Sequence, residues 1–197
     1  LQGGFIWDFV DQAILTKDEN GKAYLGYGGD FGEGYTDGIF CGNGLMFADR
    51  TETPKIKETR ICYQNMKFAA AGWETGEVTI CNRSLFTDLS AYRFVWTLFL
   101  DEVSCAQGSV DVECAPGETV KVRLPFADEL KKMTEAGKTC LEAFLNVEAQ
   151  LKEDTSWAKA GYAVAKGQFI TGSRESLLAE KKEGSSLKVT ENFGALI

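Results

Sequence analysis

Two patterns in the sequence predict a mainly β protein with an immunoglobulin-like β-sandwich of about seven strands. Apolar residues recur at every second position over short runs, and turn-forming residues separate the runs at regular intervals. Seven such runs, at 60–70, 76–84, 91–101, 104–113, 118–124, 139–151 and 160–170, crowd into roughly 110 residues, the strand density of such a sandwich. A third observation sets residues 1–58 apart. They hold eleven of the 21 glycines within positions 1–44, and positions 1–50 carry three basic against eight acidic side chains, a net of −5. Glycine density with scattered acids and aromatics describes irregular backbone packed closely around something.

Taken in order, the first element is Gly4-Phe5-Ile6-Trp7-Asp8-Phe9-Val10, whose near-continuous apolar run predicts a strand buried on both faces. Asn20-Gly21 predicts a tight turn joining Ile14-Leu15-Thr16 to Ala23-Tyr24-Leu25 as a hairpin. Pro54 to Glu58 predicts one helical turn, since proline suits the first helical position. From about residue 60 the sandwich begins. Phe94, Trp96, Leu98 and Leu100 share one phase, as do Val120, Val122 and Leu124. Leu141, Ala143, Leu145, Val147, Ala149 and Leu151 share another, with polar residues mostly between them, so each strand has an inner and an outer face. Trp96, on the third of these strands, is the expected core tryptophan. Asp128 to Ala136 reads as a short helix or loop, and residues 171–197 as a polar linker in which Leu187-Lys188-Val189-Thr190 is strand-like.

Composition excludes several functions. The chain of 197 residues has a net charge of −8, against a nucleic-acid binder that must neutralise phosphates. With no histidine it has no Ser-His-Asp or Cys-His catalysis and no histidine metal ligand. Six cysteines, at 41, 62, 81, 105, 114 and 140, include no Cys-x-x-Cys pair and suit reduced structural thiols in a cytoplasmic chain. The longest strongly apolar run, residues 94–100, is shorter than the ~20 residues a membrane helix needs, and no secretory signal opens the sequence. The first methionine is Met46, and the chain reads as a piece of a larger protein.

Short motifs carry less. Asp30-Phe31-Gly32 matches the kinase magnesium motif without the histidine-containing catalytic loop that gives it meaning. Asp18-Glu19-Asn20-Gly21 is too short for a calcium loop, and Asn82-Arg83-Ser84 is a glycosylation sequon of a kind that occurs by chance. Two residues stand out. Trp7, with acids at 8 and 11, is either plain core or a flat apolar face for a sugar ring beside hydroxyl-binding acids. Asn43, in Phe40-Cys41-Gly42-Asn43-Gly44, either caps a turn or offers its amide oxygen to a sugar hydroxyl or a hard cation.

Three blocks then make the sequence specific: residues 1–12 (LQGGFIWDFVDQ), 27–32 (YGGDFG) and 40–51 (FCGNGLMFADRT). In this order and spacing they resemble the large bacterial β-galactosidases of glycoside hydrolase family 2. The resemblance implies that residues 1–58 are the C-terminal segment of a (β/α)8 catalytic barrel, with 4–10 its last strand. It implies an immunoglobulin-like domain at 59–170 and the start of a C-terminal β-sandwich domain at 171–197. Trp7 matches the tryptophan of the galactose platform, the Phe40 carbonyl a ligand of an active-site sodium ion, and Asn43 a side chain that ligates the sodium and approaches the sugar. Phe9 stands where a tryptophan is common, and Gly38-Ile39 where some relatives carry a bulkier charged residue. The implied parent is a homo-oligomeric retaining enzyme acting on terminal β-D-galactosides such as lactose. Its two catalytic glutamates and its magnesium ligands match no residue of this chain. A non-catalytic carbohydrate-binding or spacer module and a β-glucuronidase or β-mannosidase relative are the alternatives.

Overall fold

A computed structural model describes residues 2–38, 40–72, 75–136, 142–170, 191–192 and 195–196. The chain divides into two compact units, residues 1–64 and 65–197.

The first unit is mostly irregular. Strands β1 (Ile14–Lys17) and β2 (Ala23–Gly26) form the expected hairpin, with Thr16 opposite Tyr24. Asp18 closes it: its Oδ1 accepts from the backbone N–H of Asn20 and Lys22, and Gly21 takes the positive φ of 80° that glycine permits. The Tyr27–Thr36 stretch is also held by carboxylates. Glu33 accepts from the backbone N–H groups of Gly29 (2.8 Å) and Phe31 (3.0 Å), and these bonds hold its carboxyl below the ordinary value.

Two expectations for this unit change. The run at 4–10 is not a strand: it is irregular chain, bent at Trp7 and Phe9, with one isolated bridge, Val10 to Met46 in parallel. A strand needs a hydrogen-bonded neighbour along its length, and here pairing is confined to its last residues; Phe5, Trp7 and Phe9 are exposed. The single helical turn at Pro54 is a ten-residue helix, α1 (Pro54–Tyr63), so the first sandwich strand starts later than residue 60. Pro54 opens it, and Lys55, Lys57, Glu58 and Arg60 are good helix formers. None of its side chains is buried, so no apolar stripe announces it.

The second unit is the sandwich. Its strands are β3 (Met66–Gly72), β4 (Glu77–Asn82), β5 (Tyr92–Leu100), β6 (Val103–Asp111), β7 (Thr119–Arg123), β8 (Ala143–Leu151) and β9 (Ala163–Ile170). One sheet has the order β3-β4-β7 and the other β6-β5-β8-β9, all neighbours antiparallel. The inner faces are those the alternation predicts. Val78 and Ile80 face Phe94, Trp96, Leu98, Leu145, Val147 and Ala149 across one core, each buried. Full burial of each large apolar side chain contributes about 1.5–3 kcal/mol, so this row carries the unit. Trp96 fits because Gly108 lies opposite it on β6; a Cβ there would stand 2.8 Å from the indole nitrogen. Phe68 reaches from β3 to meet Phe94 edge-on at 6.5 Å. The 126–136 region is helix α2 (Phe126–Glu135), with Asp128 and Glu129 in its first turn, where acids suit the helix dipole.

One buried polar group joins three segments. Asn82, at the end of β4, is fully buried, and its amide nitrogen donates to the Thr87 carbonyl (2.8 Å) and the Cys114 carbonyl (2.9 Å). Its Oδ1 accepts from Ser84 N–H at 3.0 Å. The five described cysteines are free thiols, and burial pushes the Cys114 thiol up. Short paired strands at 191–192 and 195–196 complete the described chain. The strand-like stretch at 187–190, Cys140 and Leu141 lie outside the described residues.

Asn82→Ala removes both amide hydrogen bonds, while the Cys114 carbonyl keeps the Leu89 N–H, and should lower the chain's unfolding free energy by about 1–3 kcal/mol, read by urea denaturation; a loss under about 0.5 kcal/mol would show that water replaces the amide. Glu33 gives a pH test. Its folded carboxyl lies below its ordinary 4.5, so its hold on the loop is complete above that value and is lost as pH falls through the lower folded one. The Gly29 and Phe31 amide resonances should titrate together with a midpoint below 4.5, and not at all in Glu33→Gln. A midpoint at or above 4.5 would contradict the hydrogen bonds.

Candidate functional site

The candidate site is built from two stretches of the first unit, 8–12 and 41–46. They run side by side. Leu45 N–H donates to the Asp8 carbonyl, Met46 N–H to the Phe9 carbonyl and Asp11 N–H to the Met46 carbonyl, each at 3.0 Å. Gln12 N–H donates to the Cys41 carbonyl at 3.0 Å, so the loop is tied at both ends. Leu45 is buried, and its carbonyl accepts from the Thr53 hydroxyl at 2.5 Å. That bond turns the Thr53 hydroxyl toward Leu45, and α1, which Thr53 precedes, has no side-chain cap bond.

Each sequence-derived site residue has a definite place. Trp7 directly precedes the paired stretch and is 71% exposed, its indole unpartnered by core. Its peptide bond to Asp8 is cis. Asn43 directly precedes Gly44 on the other stretch. Trp7 and Asn43 each lie three residues before a member of the isolated parallel Val10–Met46 bridge, but the residues on either side of Asn43, Cys41 and Gly44, bond to Gln12 and Asp11, so the described hydrogen bonds tie the Asn43 loop to the 11–12 end of the stretch. Phe40, also exposed, and Asn43 come together: the Asn43 side-chain nitrogen lies 3.4 Å from the Phe40 carbonyl oxygen. The two groups expected to share a cation are thus neighbours on one loop.

These donors suit a monovalent cation. Both are neutral oxygens in character, and a half-turn of the Asn43 amide exchanges its nitrogen for its oxygen at the Phe40 carbonyl. Neither titrates near neutral pH. Ile39, one of the two departures from the relatives, lies outside the described residues. Among the described residues no three Cys, Asp or Glu side chains are grouped to hold a metal ion.

The sequence marks Asp11 only as an acid beside Trp7 and misses its bond to the 41–46 loop. Its Oδ1 accepts from Gly44 N–H at 2.6 Å, across 33 positions. Asp8, the neighbouring acid, points one carboxylate oxygen inward, where it is buried and meets no hydrogen-bond donor among the described residues. The flanking glycines at 42 and 44 were the available signal for a close approach at this loop.

Other features carry no comparable arrangement. A depression on the sandwich lined by Thr75, Glu77, Lys121 and Arg123 holds an exposed Lys121–Glu77 pair at 3.3 Å. A second, beside Phe99, Phe144 and Asn146, holds a Gln168–Asn146 hydrogen bond. The sequon asparagine is the fully buried Asn82, whose amide is already spent on two carbonyls. No described helix is long and apolar enough to cross a membrane.

Comparison with known proteins agrees with this division. Residues 1–68 match the family described as "Glycosyl hydrolases family 2, TIM barrel domain", and residues 78–171 match "Beta-galactosidase, domain 4". A β-galactosidase of Priestia megaterium is 40% identical over 192 residues, covering 98% of this chain and 18% of the relative. Those of Halalkalibacterium halodurans and Streptococcus thermophilus are 43% and 37% identical, covering 86% and 96% of this chain and 16% and 17% of the relatives. The chain thus spans less than a fifth of the length of these curated relatives. With its first part matching a domain of glycosyl hydrolase family 2 and its second a β-galactosidase domain, the chain belongs to glycosyl hydrolase family 2, with the sequence of a β-galactosidase segment.

Proposed function

We propose that this chain is the part of a retaining β-galactosidase that supplies one wall of the sugar site and a bracing sandwich. The observation that carries the reading is the side-by-side pairing of 8–11 with 44–46, which sets Trp7 and the Phe40–Asn43 loop on adjacent segments. The names of the aligned relatives supply the substrate class, a β-galactoside.

In this reading each residue does one thing. Trp7 offers its indole face to the apolar C–H face of galactose, excluding water from that side. Asn43 directs its amide to a sugar hydroxyl and, with the Phe40 carbonyl, would hold a sodium ion. Such an ion supplies a fixed positive field that orients a hydroxyl without taking up or releasing a proton. No carboxylate here is assigned to bond cleavage. A retaining glycosidase needs two carboxyl groups ~5–5.5 Å apart, one as nucleophile and one as acid–base. We assign both, and the magnesium site, to the remainder of the polypeptide.

The test uses the full-length protein. It should hydrolyse a nitrophenyl β-galactoside in preference to the matching glucuronide and mannoside, and a reversed preference would move the chain to another activity of the family. Trp7→Ala should lower kcat/KM on the galactoside by about 10- to 100-fold, the value of burying one large apolar face. An unchanged kcat/KM would remove Trp7 from the site.

A further inference from the structure

We infer that Asp11 is a positioning residue for the sugar site: its carboxylate fixes the Gly44 amide and so sets where Asn43 stands. This rests on the sodium and sugar roles proposed above for Phe40 and Asn43. The geometry is specific. Asp11 grips the loop twice, its backbone N–H on the Met46 carbonyl and its Oδ1 on the Gly44 N–H at 2.6 Å. A carboxylate accepting a backbone N–H is among the stronger hydrogen bonds, and this one is short for its class. Gly44 is half of the device. A Cβ at position 44 would collide with the Asp11 backbone nitrogen and stand 2.5 Å from the Met46 carbonyl oxygen and 2.7 Å from Asp11 Oδ1. Only glycine lets the loop sit this close.

The loop is held from the far side as well, by the Thr53 hydroxyl on the Leu45 carbonyl. Asn43 therefore adjoins a backbone unit clamped at Gly44 and Leu45, while its own side chain meets only the Phe40 carbonyl among the hydrogen bonds described for it, the pair proposed to meet a ligand together. The donors that would hold the cation are neutral, so the acid nearest the loop in sequence logic is spent on architecture and not on coordination. Asp11 touches no reacting atom in this reading; it acts through Asn43.

The experiment uses the full-length protein and three variants, Asp11→Ala, Asp11→Asn and Gly44→Ala. Two readouts are taken: amide hydrogen exchange of the 42–47 peptide, and the sodium concentration that half-saturates the change in intrinsic tryptophan fluorescence. In Asp11→Ala, exchange at Gly44 should speed up by about tenfold or more, the loss expected of a charge-assisted bond. Half-saturation by sodium should rise by a similar factor. Asp11→Asn, which keeps an acceptor oxygen, should recover most of both, and Gly44→Ala should resemble Asp11→Ala. Exchange of the 143–151 strand serves as the folding control and should not move. Unchanged Gly44 exchange or unchanged sodium half-saturation in Asp11→Ala overturns the inference, as does an Asp11→Asn protein as impaired as Asp11→Ala. A wild-type protein with no sodium response overturns the sodium reading itself and the inference with it; a normal wild-type response untouched by Asp11→Ala overturns the inference alone.

Discussion

The absence of a side chain at residue 44 is the constraint on which the candidate site depends. The 41–46 loop lies against the 8–12 stretch at a separation that leaves no room for a Cβ. That contact permits the backbone bonds from Leu45 and Met46 to Asp8 and Phe9, and the one from Gly44 to the Asp11 carboxylate. Backbone groups packed this closely must be paired, since an unpaired buried N–H or C=O costs as much as a lost hydrogen bond. Among the described residues of this stretch, one buried side-chain oxygen, the inward one of Asp8, meets no donor. A loop bonded at this density has few alternative positions, which is what a site that must present two neutral oxygens together requires.

The sandwich solves a different problem by similar means. Its stability comes from two apolar inner faces, but its loops must leave and re-enter the sheets without stranding polar groups. Asn82 does this at the end of β4, meeting Thr87 and Cys114 with its amide hydrogens and Ser84 with its oxygen. Lys152 acts in the open at the same end of the sheets, bonding the Ser90 carbonyl and pairing with Asp111 at 2.8 Å, which holds that exposed acid below its usual range. Screened by solvent, that pair contributes less than the buried amide. The hierarchy is the ordinary one: burial decides what a polar contact is worth.

The sandwich was legible in the sequence because each strand buries one face, and burial writes a period of two into the residues. The phase through Leu145, Val147 and Ala149 is the inner face, and Trp96 is the core tryptophan. Helix α1 was not legible, because a helix that buries nothing leaves no periodic mark, and its Ile61 and Tyr63 mimic strand alternation. The run at 4–10 reads as a strand by composition, yet a strand is a property of pairs; only its end finds a partner, and that partner is 36 positions away at Met46. Trp7 and Asn43 drew notice through local words and family resemblance, while the pairing of the stretches that adjoin them is visible only in the fold. Asp11 was noted only as an acid near Trp7, and its bond to Gly44 was overlooked for the same reason: the partner is distant in sequence.

The two units divide the work by where their bonds come from. Every hydrogen bond described above for the 41–46 loop lies within residues 8–53, its partners being Asp8, Phe9, Asp11, Gln12, Phe40 and Thr53. The arrangement of Asn43 is therefore encoded locally, in a stretch whose acids serve as backbone acceptors: Asp18 in the hairpin, Glu33 in the 27–36 loop, Asp49 at Thr51 and Asp11 at Gly44. This gives the acidity of the first unit a structural meaning. Glycine-rich backbone exposes many N–H groups that no regular ladder satisfies, and carboxylates are the strongest acceptors a sequence can place beside them. The excess negative charge is thus tied to the irregular backbone itself. It does not by itself mark a cation site, and the groups best placed to meet a cation, the Phe40 carbonyl and the Asn43 amide, are uncharged.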